Sequence, residues 1–251
     1  MTANGQLGIV DWGIGGIGIY KLIKSRLGDI PIIYFSDTGV TPYGKMTRHE
    51  LVSRLNAVVA FLASRGVTHL VIGCNAASTV IPHLSASEMK IEGVIESAVA
   101  MTCKLKPKSL GLIGGRRTVL SGVYRTAFSE RGIVVKQRIA QPLSGLIESG
   151  DVSSQKLRAE CRRILAPLKN CSHILLACTH YPAILSVLTD FVSVTTEFVD
   201  PSQELVRNLK SWDPQAAGNS VFFTSGDPKQ MKESAWLAFN CQLDRIVRIE
   251  I

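Results

Sequence analysis

Two cysteines, Cys74 and Cys178, close matching stretches of the chain. The first stretch is Gly66-Val67-Thr68-His69-Leu70-Val71-Ile72-Gly73-Cys74-Asn75. The second is Asn170-Cys171-Ser172-His173-Ile174-Leu175-Leu176-Ala177-Cys178-Thr179. Each carries a hydroxyl residue, a histidine, a four-residue run fit for a strand, and then the cysteine. A thiolate is a competent base, and its ordinary pKa of about 8.5 falls near cations and helix N-termini. Two such groups facing one carbon from opposite sides can take a proton from one face and return one to the other. A single base does this poorly. Asn75-Ala76-Ala77-Ser78 reads as a helix start, whose partial positive charge favours a Cys74 thiolate. Pro182, in Thr179-His180-Tyr181-Pro182, suits a first helical turn after Cys178. The other cysteines, Cys103, Cys161, Cys171 and Cys241, read as small core hydrophobes. No pair of the six has CxxC spacing, which argues against a zinc or dithiol redox motif.

The elements that must position these thiols alternate between strand and helix. Leu7 to Val10 reads as a strand, followed by a glycine-rich turn from Gly13 to Gly18 into a helix. Pro31 to Phe35 is a second strand. Leu51, Leu55, Val58, Val59 and Leu62 share one helical face, and Gly66 stops that helix. His69 to Gly73 is a third strand. The pattern restarts with a strand at Leu110 to Ile113, a helix through Tyr124 and Phe128, and a strand at Ile133 to Val135. Asp151 is expected to cap a helix burying Leu157, Cys161, Ile164, Leu165 and Leu168. Ile174 to Ala177 is again a strand, and the tail adds strands near Val221 to Phe223 and Ile246 to Ile249. Such alternation implies an α/β fold with parallel sheets. The local repeat implies two similar Rossmann-like lobes related by a pseudo-twofold axis. We expect residues 1–97 with 210–251 to form the first lobe and 98–209 the second. Ligands in open α/β sheets bind beyond the carboxyl ends of strands, which puts both cysteines at a cleft between the lobes.

Composition narrows the function classes. Hydrophobic residues make up 46% and charged residues 19% of the 251 residues, an ordinary globular mix that excludes disorder. The formal net charge is +8. The basic clusters are short and lack interleaved aromatics, so we expect a solvated basic surface and no nucleic-acid partner. A field that attracts a small dicarboxylate is compatible with the same charge. No apolar run is long enough to span a membrane. The polar N-terminus shows no signal peptide, and a cytoplasmic protein with reduced thiols is expected. The glycine-rich turn could hold a nucleotide phosphate. However, Gly13-x-Gly15-Gly16-x-Gly18 is not the dinucleotide spacing, and no Walker lysine follows.

At these residues the chain resembles the glutamate racemases of the aspartate/glutamate racemase superfamily. That family's Asp-Ser-Gly-x-Gly-Gly corresponds to Asp11-Trp12-Gly13-Ile14-Gly15-Gly16. Its Pro-Tyr-Gly loop corresponds to Pro42-Tyr43-Gly44, and its Cys-Asn-Thr-Ala-Ser to Cys74-Asn75-Ala76-Ala77-Ser78. Its Gly-Cys-Thr-His-Tyr-Pro corresponds to Ala177-Cys178-Thr179-His180-Tyr181-Pro182. Gln141-Pro142-Leu143 with Glu148, and the tail Thr224-Ser225-Gly226-Asp227-Pro228, complete the likeness. The resemblance implies that Cys74 and Cys178 are the two bases. It implies that Asp11 assists the first, and His180 with Glu148 the second. Asn75, Thr179 and Thr118 would hold the substrate's carboxylate or ammonium, and Tyr43 and Gly44, with Pro42, would line the pocket. It implies no pyridoxal phosphate, no other cofactor and no metal. The implied partner is an acidic amino acid, and relatives of this kind often form homodimers. Each assisting residue has a plainer reading: Asp11 and Thr118 could cap helices, His180 could orient a carbonyl, and Glu148 could be a solvated loop charge.

Three departures from the family pattern bear on the substrate. Trp12 replaces a serine and Ala76 a threonine, removing two hydroxyls. Gly114-Gly115-Arg116-Arg117-Thr118 stands where the family has Gly-Thr-x-Gly-Thr. An inward Trp12 shortens the pocket by about a methylene, worth roughly 1–3 kcal/mol of discrimination. Aspartate is therefore the expected substrate, a combination similar to the aspartate racemases of cyanobacterial nonribosomal-peptide clusters such as those making microcystin. The rivals are a glutamate racemase feeding cell-wall synthesis, a decarboxylase or maleate isomerase, and an inactive binding protein. Decarboxylase relatives keep one cysteine, and this chain keeps both.

Overall fold

The computed structural model describes residues 5–212 and 218–251. The first sheet begins with β1 (Gln6–Asp11), β2 (Ile32–Ser36), β3 (Val67–Ile72) and β4 (Lys90–Gly93). Between these strands lie α1 (Ile17–Leu27), α2 (Arg48–Ser64) and α3 (Asn75–Ser78). The long helix α4 (Val94–Leu105) leads to a second sheet built from β5 (Leu110–Gly114), β6 (Val135–Ile139), β7 (His173–Ala177) and β8 (Glu197–Val199). Its connections carry α5 (Arg116–Leu120), α6 (Val123–Ser129), α7 (Gln141–Glu148), α8 (Gln155–Leu165) and α9 (Leu185–Thr189). Helix α10 (Ser202–Leu209) returns the chain to the first sheet. There β9 (Val221–Thr224), α11 (Pro228–Phe239) and β10 (Ile246–Arg248) complete the fold.

The strand orders are β10-β9-β2-β1-β3-β4 and β6-β5-β7-β8, and every pairing is parallel. In each sheet the cysteine-bearing strand, β3 or β7, lies directly beside the strand that begins its lobe, β1 or β5. Side chains alternate faces along a strand, so each sheet feeds two cores. Leu7 and Ile9 of β1 pack with α1, α10 and α11, while Val10 packs with α2. In the second sheet Ile174 and Leu176 pack with α7 and α8, and Leu175 faces Tyr124 and Phe128. This is the two-lobed α/β architecture that the strand–helix alternation predicts. No helix among the described residues is long and apolar enough to cross a membrane.

Local chemistry explains the boundaries. Thr47 and Glu50 form a reciprocal capping box that starts α2, and its face of Leu51, Leu55, Val58, Val59 and Leu62 is buried. Two sequence expectations are corrected. The strand expected at Ile133 to Val135 runs instead over Val135–Ile139. Gly132, at φ +71°, turns the chain out of the preceding helix, and Ile133 is spent in that turn. Asp151 does not cap α8. Ser154 does, accepting from Leu157 N, while Asp151 accepts from the Ser154 hydroxyl and holds the cap in place.

Candidate active site

The carboxyl ends of β1, β3, β5 and β7 converge on one cavity between the lobes. Cys74, at the N-cap of α3, and Cys178, just past β7, both line it. The sequence repeat thus delivers two thiols to the same space from two different sheets.

Each thiol has its own supporting group. Beside Cys178, His180 places Nδ1 3.6 Å from the sulfur and Nε2 2.7 Å from Glu148 Oε2. Burial works against a charge on this imidazole. The hydrogen bonds and negative charges of Cys178 and Glu148 outweigh it and hold His180 protonated well above its ordinary range. With both ring nitrogens donating, the imidazolium links the sulfur to the carboxylate. Glu148 lies behind His180 and does not line the cavity; it also accepts from Ile14 N at 2.9 Å.

On the other side, Asp11 is fully buried at the end of β1 and lines the cavity. It accepts from Trp12 N and from the Thr179 hydroxyl, both at 2.7 Å. Burial raises its pKa, and the His180 charge and these donors partly offset that rise. Cys74 is pushed well above the usual thiol range, first by burial and then by the Asp11 charge. Donation from Ala77 and Ala76 N–H pulls the other way and is outweighed. This corrects the expectation that a helix start favours a Cys74 thiolate: α3 has only four residues, and its end charge is small against desolvation.

The remaining candidate residues fall into place around the thiols. Trp12, Pro42, Tyr43 and Gly44 line one wall, and Asn75, Ala76 and Thr118 another. The Trp12 indole N–H donates to Val40 O at 3.2 Å, which anchors the ring against that wall. Tyr43 donates its hydroxyl to Asp37 at 2.6 Å. Asn75 accepts from Tyr124 OH at 2.6 Å, and its buried Nδ2 has no partner among the described residues. Thr179 does not line the cavity, because its hydroxyl is committed to Asp11.

Several contacts around the cavity go beyond the roles read from the sequence, where Gln141 and Ser225 stand only as parts of motifs. Gln141 and Ser144 line the cavity and hydrogen-bond each other at 3.1 Å. Asp37, which holds Tyr43, is itself gripped by Arg54 and by Ser225. The glycine-rich turn serves close approach between lobes. A Cβ on Gly13 would overlap the Glu148 carboxylate, and one on Gly15 would lie 2.6 Å from His180 Nδ1. Among the described residues no three His, Cys, Asp or Glu side chains gather as a metal site.

The protein is thus a two-lobed α/β molecule whose interlobe cavity is lined by two thiols, one beside His180 and the other in the field of Asp11. The chain belongs to the family described as Asp/Glu/Hydantoin racemase, which matches residues 8–209, and so to an isomerase family of racemases. It is 32% identical over 212 residues to a glutamate racemase of Desulforudis audaxviator, covering 82% of this chain and 78% of the relative. It is 30% identical over 255 residues to a glutamate racemase of Gloeobacter violaceus, covering 96% and 95%. A crystal structure of glutamate racemase from Francisella tularensis, in complex with D-glutamate, has the same fold, with a TM-score of 0.88, 23% identity and coverage of 99% and 98%.

Proposed function

We propose that this chain inverts the α-carbon of an acidic amino acid by passing protons between Cys74 and Cys178. The observation that carries the reading is that both thiols line one cavity with different partners at their backs. In one direction Cys178, with the His180 imidazolium able to hold charge on its sulfur, takes the α-proton. Cys74, kept protonated by burial and by Asp11, delivers a proton to the opposite face. The reverse reaction exchanges the roles, as microscopic reversibility requires. Asn75 Nδ2 and the Thr118 hydroxyl are the donors we assign to the substrate's carboxylate, where pre-aimed dipoles also favour the carbanion-like state. Thr179 acts one step back, by holding Asp11. The reading places the protein in the reducing cytoplasm, where both thiols stay free.

The relatives support glutamate as the substrate more than aspartate, since the two reported above, at 32% and 30% identity, are named glutamate racemases. One observation favours aspartate: the Trp12 indole is pinned to Val40 O and forms part of the cavity wall. Comparing kcat/KM for the two amino acids in D/L exchange decides between them. If Trp12 shortens the pocket, aspartate leads by roughly 10-fold or more and Trp12→Ser moves preference toward glutamate. Glutamate turning over at least as well as aspartate ends the aspartate reading, and no movement in Trp12→Ser removes Trp12 from it.

A further inference from the structure

Arg117 belongs to α5, on the four-stranded lobe, yet its side chain donates to two groups of the other lobe. Its Nη1 donates to Met46 O at 2.8 Å and its Nε to Thr79 Oγ1 at 3.2 Å. Met46 lies two residues beyond Gly44, on the segment that supplies one cavity wall. Thr79 closes the helix that Cys74 opens, and its hydroxyl donates to Ala76 O at 2.7 Å. On its own side, Arg117 is flanked by Gly115 and Thr118, which both line the cavity. The lobes also meet closely here: a Cβ on Gly44 would lie 2.6 Å from Gln141 Oε1. The guanidinium therefore ties α5, beside the cavity, to two of the first-lobe segments that line it, the one after Gly44 and the one that Cys74 opens.

We propose that Arg117 is a positioning residue, an interlobe clasp that holds the cavity closed and yields when substrate passes. Its acceptors, a carbonyl and a hydroxyl, carry no charge, so each bond is weaker than an ion pair to a carboxylate and opens reversibly. A glycine, which the resembling family has at this place, makes neither bond, so the clasp is a property of this chain. The guanidinium keeps its full positive charge when released and faces the adjoining cleft with Gly44, Lys45 and Arg116. It thereby draws an anionic amino acid toward the opening as the lobes part. This goes beyond the two-thiol reading, because the clasp can be observed without turnover.

The test is alkylation by iodoacetamide at fixed pH, followed peptide by peptide, with half-exposed Cys103 on α4 as internal reference. Arg117→Ala should speed alkylation of Cys74 and Cys178 by about tenfold relative to Cys103, the loss of roughly one charged hydrogen bond. Arg117→Lys, which reaches only one acceptor at a time, and Thr79→Val, which removes one acceptor, should each speed it by about threefold. In turnover, Arg117→Ala should raise KM by about tenfold and leave kcat within about threefold. Unchanged thiol rates in folded Arg117→Ala overturn the clasp. Should that variant fail to fold, unchanged rates in both Arg117→Lys and Thr79→Val overturn it equally. A native protein without racemase activity counts against the two-thiol reading and leaves the alkylation result standing.

Discussion

At the residue scale, the two thiols are chemically alike and are made different by what stands behind them. His180 bridges Cys178 and Glu148 and is held protonated, while Asp11 and burial keep the Cys74 proton in place. Glu148→Gln keeps an acceptor for Ile14 N but removes the charge that holds the imidazolium. We expect kcat to fall by roughly 10²-fold with KM nearly unchanged, in steady-state assays. A native KM-to-kcat balance in that variant contradicts the role given to Glu148. The same pair predicts a pH signature in stability. A group whose folded pKa is raised contributes stability that is complete below its unfolded pKa and is lost as pH climbs through the folded one. For His180 the contribution is complete below pH about 6.5 and fades well above it. Urea unfolding of the native protein and His180→Asn should therefore differ most in mildly acidic buffer and converge in alkaline buffer. A gap that widens with pH reverses the assignment. Much at this scale was legible beforehand, because Cys74 and Cys178 sit in repeated local frames. The acidity of Cys74 was not: the direction depends on burial and on Asp11, neither of which is local in sequence.

Among the elements, the glycine-rich turn after β1 does the least obvious work. It lets Glu148, Thr179 and His180 from the other lobe approach its backbone, and Ile14 N donates to Glu148 as they do. Gly13→Ala should displace the Glu148 carboxylate and lower kcat by roughly 10²-fold, with the lost activity exceeding what unfolding accounts for. An alanine variant with native turnover shows that the turn has slack and that the contact is incidental. The sequence marks the turn but not its purpose, since glycine spacing alone cannot say which segment will arrive from a hundred residues away. The edge strand β6 was misplaced for a related reason. Its alternating, half-exposed Val135–Ile139 carries less apolar signal than Ile133, which the turn after Gly132 claims. The grip of Arg54 and Ser225 on Asp37 joins three distant segments, and no window of sequence contains it.

At the level of the whole molecule, two sheets of parallel strands meet at the cavity that Cys74 and Cys178 line. We propose 1–97 with 210–251 as one lobe and 98–209 as the other. The ground is that the six-stranded sheet takes its strands from the first two segments and the four-stranded sheet from the third. Leu205, Val206 and Leu209 of α10 pack into the core beneath the six-stranded sheet, so the helix that ends the second segment carries the chain back into the first lobe's core. Strand–helix alternation made the two sheets legible; the hydrogen bonds that cross between them, Thr179 to Asp11 and Tyr124 to Asn75, became visible only in three dimensions.

The most direct measurement follows deuterium into the α-position of each pure enantiomer in heavy water, for the native protein, Cys74→Ala and Cys178→Ala. With one proton donor on each face, the native protein labels product as it inverts. Each variant should lose inversion by about 10³-fold or more while still exchanging the α-hydrogen of one enantiomer, a different one for each variant. Inversion persisting near the native rate in either variant, or both variants exchanging the same enantiomer, contradicts proton transfer between these two sulfurs.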